Sequence, residues 1–250
     1  MTAAAEDAGL KGEKPLTEVE RVVDTFAAPS KTFTDIRRNA NWIVPWLVTS
    51  VIGLLMVFVV DQKLGMETAY MNQLRLQPKQ MDKIDQMPPD QKANAIKIGV
   101  AITKYIAYGW PVMTIVFVAI LAVVLMATFN FGLGAEVKFK QAMAVSMYAF
   151  LPGTIKVLIA IVVVAAGAAE GFTFQNPVAS NLSGLVDPST SHFLYSILAS
   201  LDAFTIWTLV LTGLGYSCIT RVKRGTCMGV VFGWWIVVTL VGAGLGALFA

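Results

Sequence analysis

Long apolar stretches separated by shorter polar segments dominate the pattern of this sequence. A helical residue rises about 1.5 Å, so about 20 apolar residues cross the roughly 30 Å hydrocarbon core of a bilayer. Five stretches have this length: about 42–60, 106–129, 142–168, 193–219 and 228–249. They are too long for barrel strands and lack the alternation of such strands. The pattern predicts an all-α membrane protein with a bundle of five transmembrane helices.

The composition agrees with a membrane protein and excludes other classes. Apolar residues make up 56% of the 250 residues and charged residues 14%. A soluble domain carries roughly 45–50% apolar and about 25% charged residues. Collagen, intrinsic disorder, a disulfide scaffold and a basic nucleic-acid binder are excluded by the same numbers, so we expect no nucleic-acid partner.

The polar segment before the first span, residues 1–41, is predicted to be a cytoplasmic tail that contains an amphipathic helix over 17–27. Thr17 and Glu20 have the spacing of a capping box. Four apolar residues then share one helical face: Val19, Val22, Val23 and Phe26. This helix either lies on the inner leaflet with its basic neighbours near lipid phosphates or presents a docking face to a cytoplasmic partner.

The segment 61–105 between the first two spans is rich in helix formers and is interrupted by Pro78 and by Pro88-Pro89. We expect helical extensions of the two spans joined by a short helix, that is, a helical extracytoplasmic hairpin. A simple connection between two spans needs fewer residues. The hairpin is either a platform for an extracytoplasmic partner or a cap over its own bundle.

Lys and Arg positions in the short loops predict the orientation. Basic residues occur in the tail 1–41, at Lys138 and Lys140, and in the turn from Arg221 to Arg224, whereas the loop 169–192 has none. With five spans, this places the N-terminus in the cytoplasm and the C-terminus outside. Segment 61–105 carries seven basic residues on the predicted outer side, but it is a longer loop, where the rule weakens.

Two charged residues fall inside the predicted spans, Lys156 in the third and Asp202 in the fourth. Intramembrane charges are costly and are usually paired or functional. The two positions have similar depth on antiparallel helices, so their side chains can meet. The pair either fixes the packing of two helices or forms a proton or ion relay. In a third interpretation Lys156 snorkels towards the interface and hydroxyls such as Thr205 cap Asp202.

Proline and glycine residues predict local geometry in two of the spans. Pro152 and Gly153 are expected to kink the third helix. The fifth span contains two GxxxG spacings, which are typical of close helix packing in membranes. They consist of Gly229 with Gly233 and Gly242 with Gly246, and the contact is either within the chain or between chains.

Residues that carry enzyme chemistry do not form a recognisable motif. His192 is the single histidine and is interpreted as a polar loop residue beside Ser189–Ser191. Neither HExxH nor GxSxG is present, and histidines and carboxylates do not cluster with metal-ligand spacing. Cys218 and Cys227 are interpreted as small apolar residues. We therefore expect no catalytic residue, no cofactor and no metal, and the chain is predicted not to be an enzyme.

Several short motifs, taken in order, resemble the bacterial members of the Yip1 family. They are Ala28–Phe33 with Ile36, Trp42–Pro45 at the start of the first span, Tyr148–Pro152, Asp202–Trp207, and Gly215-Tyr-Ser before the basic turn Arg221–Gly225. The likeness covers most of residues 20–250 and is lost in 61–105. It implies a cytoplasmic N-terminus, five spans (a domain over 42–250), no enzymatic activity and a location in the bacterial inner membrane.

The resemblance also implies partners. Some bacterial relatives look like accessory partners of MacB-type ABC exporters and their periplasmic adaptors. The leading hypothesis is therefore an accessory or assembly subunit that binds membrane lipids and other integral membrane proteins, such as an exporter permease or adaptor, or a second copy of itself. The alternative is a small transporter, channel or lipid-handling protein that uses Lys156 and Asp202.

Overall fold

The computed structural model describes residues 14–188 and 190–249. Lys11 of the basic tail and Ser189 beside His192 therefore lie outside the described residues. Helices are the regular structure of the described part, which contains no β-strand beyond an isolated bridge between Asn181 and Asp202.

Twelve α-helices follow one another along these residues. The first six are α1 (Glu18–Ala27), α2 (Pro29–Asp35), α3 (Ile43–Lys63), α4 (Met66–Arg75), α5 (Pro78–Asp85) and α6 (Pro89–Tyr108). The next six are α7 (Trp110–Ala127), α8 (Phe139–Ala149), α9 (Leu151–Ala165), α10 (His192–Ser200), α11 (Ala203–Ile219) and α12 (Arg224–Phe249). A π-helical turn, Thr128–Gly132, extends α7, and a 3₁₀ turn, Ser183–Leu185, lies in the loop before α10.

Four helical segments of the described chain are long and apolar enough to cross a membrane. They are Ile43–Lys63, Trp110–Gly132, Phe139–Ala165 and Arg224–Leu248. These segments correspond to the first, second, third and fifth predicted spans, with ends that differ by a few residues. The third is interrupted at Phe150, where α8 ends and α9 begins just before Pro152.

The fourth predicted span, 193–219, is not one helix, and this corrects the expectation of five continuous spans. It consists of α10 and α11, separated at Leu201–Asp202. The backbone breaks there because the Asp202 carboxylate accepts hydrogen bonds from the amides of Phe204 and Thr205, as an N-cap residue does. The remaining apolar helix, α11, has 17 residues and is about 26 Å long.

The helices form two compact units. One unit comprises the described residues up to Thr49 together with Thr114–Pro152 and Trp207–Trp234. Its core contains Phe33 and Ile36 of the N-terminal segment, and the buried helix α8 supplies seven further residues. Phe129 stacks on Tyr216 with ring centroids 4.4 Å apart. The first two helices are therefore part of this unit's core.

The other unit comprises Ser50–Met113, Gly153–Ile206 and the residues from Trp235 onward. Its core joins α3, α4 and α9 through Val60, Met66, Ala160 and neighbouring apolar residues. Two glycines allow close contacts: a Cβ at Gly53 would lie 2.5 Å from Cδ1 of Trp110, and one at Gly99 would overlap the ring of Tyr70.

Segment 61–105 is helical and contains the end of α3, α4, α5 and most of α6, so two short helices lie where one was expected. The helix α5 buries none of its residues, and α6 buries only Ala107. Lys104 of α6 forms an ion pair with Asp61, with Nζ 2.8 Å from Oδ2. This hydrogen bond raises the pKa of Lys104 above its ordinary value.

Candidate functional site

The two charged residues singled out in the sequence lie side by side. Nζ of Lys156, on α9, is 2.9 Å from Oδ2 of Asp202. The side chains are 15% and 3% exposed, respectively. The distance and burial describe an ion pair that is largely shielded from solvent.

Asp202 makes more contacts than the ion pair alone. Its Oδ2 also accepts a hydrogen bond from the hydroxyl of Ser180. Its Oδ1 accepts hydrogen bonds from the amides of Phe204 at 2.9 Å and Thr205 at 3.2 Å. Four donors thus surround one carboxylate, which satisfies its acceptor capacity. Asp202 joins α9, α11 and the loop before α10, and this arrangement supports a packing role.

A second buried ion pair, absent from the sequence-based candidates, lies between α1 and α2. Nη2 of Arg21 is 2.6 Å from Oδ2 of Asp35, and Nε donates to the same oxygen at 2.8 Å. Arg21 is 1% exposed. Burial acts to lower the pKa of Arg21, but the hydrogen bond and charge of Asp35 raise it above its ordinary value.

Hydrogen bonds connect the N-terminal segment to the rest of its unit. The hydroxyl of Tyr148, on α8, donates to Oε2 of Glu18 at 2.9 Å, and the side-chain amide of Asn41 donates to Oε1 of Glu18 at 3.0 Å. Within the segment itself, Thr25 and Thr32 both donate to the carbonyl of Arg21 and so hold α1 and α2 together. The polar contacts make α1 and α2 a docked element of the unit.

The sequence contained one signal of this cluster. Glu18, Arg21 and Thr25 follow one another at spacings of three and four, which is a polar stripe on one helical face. Such a stripe normally faces water, and its burial here depends on Asp35, 14 residues later. Spacing within one helix could not reveal that partner.

The four apolar residues of the predicted amphipathic face divide into two groups. Val22 and Phe26 are partly buried against the core, and Phe26 makes an edge-to-face contact with Trp207. Val19 and Val23 are 72% and 57% exposed. Half of the face therefore packs on protein, and the other half remains available to lipid or to a partner.

The glycines of the GxxxG spacings make few contacts. A Cβ added at Gly229, Gly233 or Gly242 would meet no atom of the described chain within 4 Å, whereas one at Gly246 would lie 3.2 Å from Nε2 of His192. Gly153, beside the helix interruption at Phe150, is also open. A different glycine marks a close helix contact: a Cβ at Gly215 would lie 2.5 Å from Cγ1 of Val145 and 3.1 Å from Cδ1 of Phe33.

Helix α6 carries an apolar stripe on its surface, which we call the α6 stripe: Ile98, Ala101, Ile102 and Tyr105. The spacings of three and four place these residues on one helical face. Tyr105 is 81% exposed, and both isoleucines are more than half exposed. No other element covers this face within the described residues.

The remaining candidates show no arrangement typical of catalysis or metal binding. His192 is the first residue of α10, where Ser191 caps the helix. Cys218 and Cys227 are both free thiols. Among the described residues, no group of three or more His, Cys, Asp or Glu side chains is placed to hold a metal ion.

Comparison with known proteins gives one match. The family model described as the Yip1 domain matches residues 23–246, which is nearly the whole chain. Neither a curated protein nor a solved structure matches the chain. The matched range contains Asp35, Tyr148, Lys156, Asp202 and the α6 stripe.

Proposed function

The chain belongs to the Yip1 family, and from this premise we propose that it is a non-enzymatic accessory subunit that binds other integral membrane proteins. The partner that we propose, following the resemblance to bacterial relatives, is a MacB-type ABC exporter permease or its periplasmic adaptor. The protein would lie in the bacterial inner membrane with its N-terminus in the cytoplasm and segment 61–105 outside.

The observation that carries this proposal is the α6 stripe. Helix α6 precedes the candidate span Trp110–Gly132, whose 23 residues already suffice to cross the hydrocarbon core. At about 1.5 Å per residue, Ile98 lies up to about 18 Å before the start of that span. Lys97 and Lys104 flank the stripe, as expected for a segment in water or among headgroups. Hydrocarbon would therefore not cover Ile98 and Ile102.

An apolar surface that neither lipid tails nor the chain itself covers is typical of a protein interface. The stripe runs along one helix, so it suits a partner that presents a helix or an apolar groove near the membrane surface. An extracytoplasmic region of an exporter or of its adaptor fits that description. A second copy of this chain is the alternative occupant.

A transporter, channel or lipid-handling protein is the second hypothesis and would use the Lys156–Asp202 pair. Such a role requires water or an ion to reach the pair. Its low exposure and the four donors around Asp202 support packing instead. We therefore base the proposed function on the α6 stripe.

The test is purification from native membranes in a mild detergent, followed by mass spectrometry of the co-purifying chains. We expect an exporter permease or adaptor to co-purify with the unaltered protein and to be lost from the Ile98→Ser, Ile102→Ser double variant. Met87→Ser is the matched control, because Met87 is also exposed in segment 61–105 but lies outside the stripe. It is expected to retain the partner.

Two results would contradict the proposal. One is a monodisperse protein without any partner chain. The other is equal recovery of the partner with the double variant and with Met87→Ser. A self-associated protein that the double variant converts to monomers would assign the stripe to a second copy.

A further inference from the structure

The N-terminal segment lines an open cavity of about 470 Å³ that the proposed function does not use. The volume is within the range of small-molecule sites. Its polar lining consists of three basic side chains, two hydroxyl side chains and one carboxylate: Lys14, Lys31, Arg38, Ser30, Thr34 and Asp35. All of them belong to residues 14–38, immediately before the first candidate span.

The net charge of this lining is positive. Asp35 is the one acidic residue, and Arg21 already neutralises it at 2.6 Å. Neither Lys14 nor Lys31 forms an ion pair with another described residue. Glu20 has a charge interaction with Lys14. Among the described residues, the lining still carries more basic than acidic side chains.

Arg38 contributes hydrogen-bond donors to this lining. Its Nη1 lies 3.4 Å from Oδ1 of Asp35, which is a weak contact. Its Nη2 has no hydrogen-bond partner among the described residues. The Arg38 side chain is 21% exposed and lines the cavity, so its guanidinium retains donor capacity that an oxygen-bearing anion can use.

We propose that this cavity binds a phosphate group. The guanidinium of Arg38 matches the geometry of phosphate oxygens, the two lysines supply further charge, and Ser30 and Thr34 supply hydroxyl donors. Arg38 precedes Ile43, the first residue of the first candidate span, by five positions. The phosphate of an anionic lipid headgroup can therefore reach the cavity, and so can a soluble phosphate. This proposal is independent of the α6 stripe.

The experiment uses the full chain in nanodiscs and measures binding in two arms. In the first arm, inorganic phosphate is titrated into protein in phosphatidylcholine nanodiscs by calorimetry, with chloride at equal ionic strength as the reference. In the second, native mass spectrometry counts phosphatidylglycerol retained from nanodiscs made of equal parts phosphatidylcholine and phosphatidylglycerol. Saturable binding in the first arm indicates a soluble ligand, and selective retention in the second indicates a lipid headgroup.

Variants connect the binding to the cavity. Arg38→Gln is expected to weaken binding about tenfold, the effect of losing a charged hydrogen bond. Lys31→Gln is expected to weaken it about fivefold, and because Lys31 is exposed, this variant should fold normally. Lys140→Gln removes an exposed charge outside the cavity and is expected to leave binding unchanged. Absence of binding in both arms, or equal weakening by Lys140→Gln and Lys31→Gln, would overturn the proposal.

Discussion

Lys156 and Asp202 are 46 residues apart in the chain, yet Nζ of one lies 2.9 Å from Oδ2 of the other. Asp202 also caps the start of α11, so one carboxylate both caps a helix and neutralises a lysine on another helix. Removal of the lysine would leave the cap in place, and replacement of Asp202 by asparagine would remove the charge but keep a capping oxygen. The two roles can therefore be separated by substitution.

We expect Lys156→Met and Asp202→Asn each to destabilise the protein by about 3–5 kcal/mol, because each leaves one buried charge without its partner. The double variant should recover most of the loss. Asparagine preserves the helix cap, so the cap does not confound the comparison. Thermal unfolding in detergent measures the effect. Asp85→Asn, at the exposed pair with Lys92, is the control and should change stability by at most about 1 kcal/mol. A double variant as unstable as the single variants would contradict the pairing argument.

Substitution by alanine should have opposite effects on stability at Gly215 and at Gly229. A Cβ at Gly215 would collide with Val145 and crowd Phe33, so Gly215→Ala should cost about 1–3 kcal/mol. Gly229 faces open space on α12, and Gly229→Ala should leave stability unchanged or raise it by up to about 1 kcal/mol. Denaturation midpoints of the two variants test the comparison. Equal changes in the two denaturation midpoints would show that the close packing around Gly215 does not penalise an added Cβ.

The hydrogen bond from Tyr148 to Glu18 holds α1 against α8. Tyr148→Phe removes the donor hydroxyl and should cost about 1 kcal/mol. Hydrogen exchange should become faster in residues 18–35 while the amides of α9 remain unaffected. Tyr105→Phe removes an exposed hydroxyl and serves as the control. Unchanged protection of residues 18–35 from hydrogen exchange in Tyr148→Phe would show that this hydrogen bond does not hold α1 against α8.

The stability of the first turn of α1 should depend on pH because of Glu20. Hydrogen bonds from the amide and hydroxyl of Thr17 lower the pKa of Glu20 below its ordinary value of 4.5. The pKa of Glu20 is lower in the folded state than in the unfolded state. Ionised Glu20 therefore contributes its full stabilisation above pH 4.5, and this contribution decreases as the pH falls through the folded-state pKa. Exchange of the Thr17 amide should rise in that range. In Glu20→Gln, which keeps an acceptor but does not titrate, the rise should disappear.

The apolar spans could be predicted from the sequence because the length and composition of a membrane helix are local properties. The break at Asp202 could not, since Asp202 sits in an apolar run and its capping role depends on backbone geometry. The Arg21–Asp35 pair could not be predicted from the sequence for a related reason. Both residues occupy positions that normally face water, and only tertiary packing buries them. Membership of the Yip1 family depends on the order of many short motifs, and that order is visible in the amino-acid sequence alone.

The docking of α1 against α8 also has a consequence for biosynthesis. Tyr148 follows Glu18 by 130 residues, so the ribosome makes the N-terminal helices well before their binding site exists. At about 5–20 residues per second, the interval is roughly 7–26 s. During that time the α8 residues that surround Phe33 in the core have not yet been made. Docking of the first helices therefore takes place late in synthesis, after α8 and Gly215 have been made.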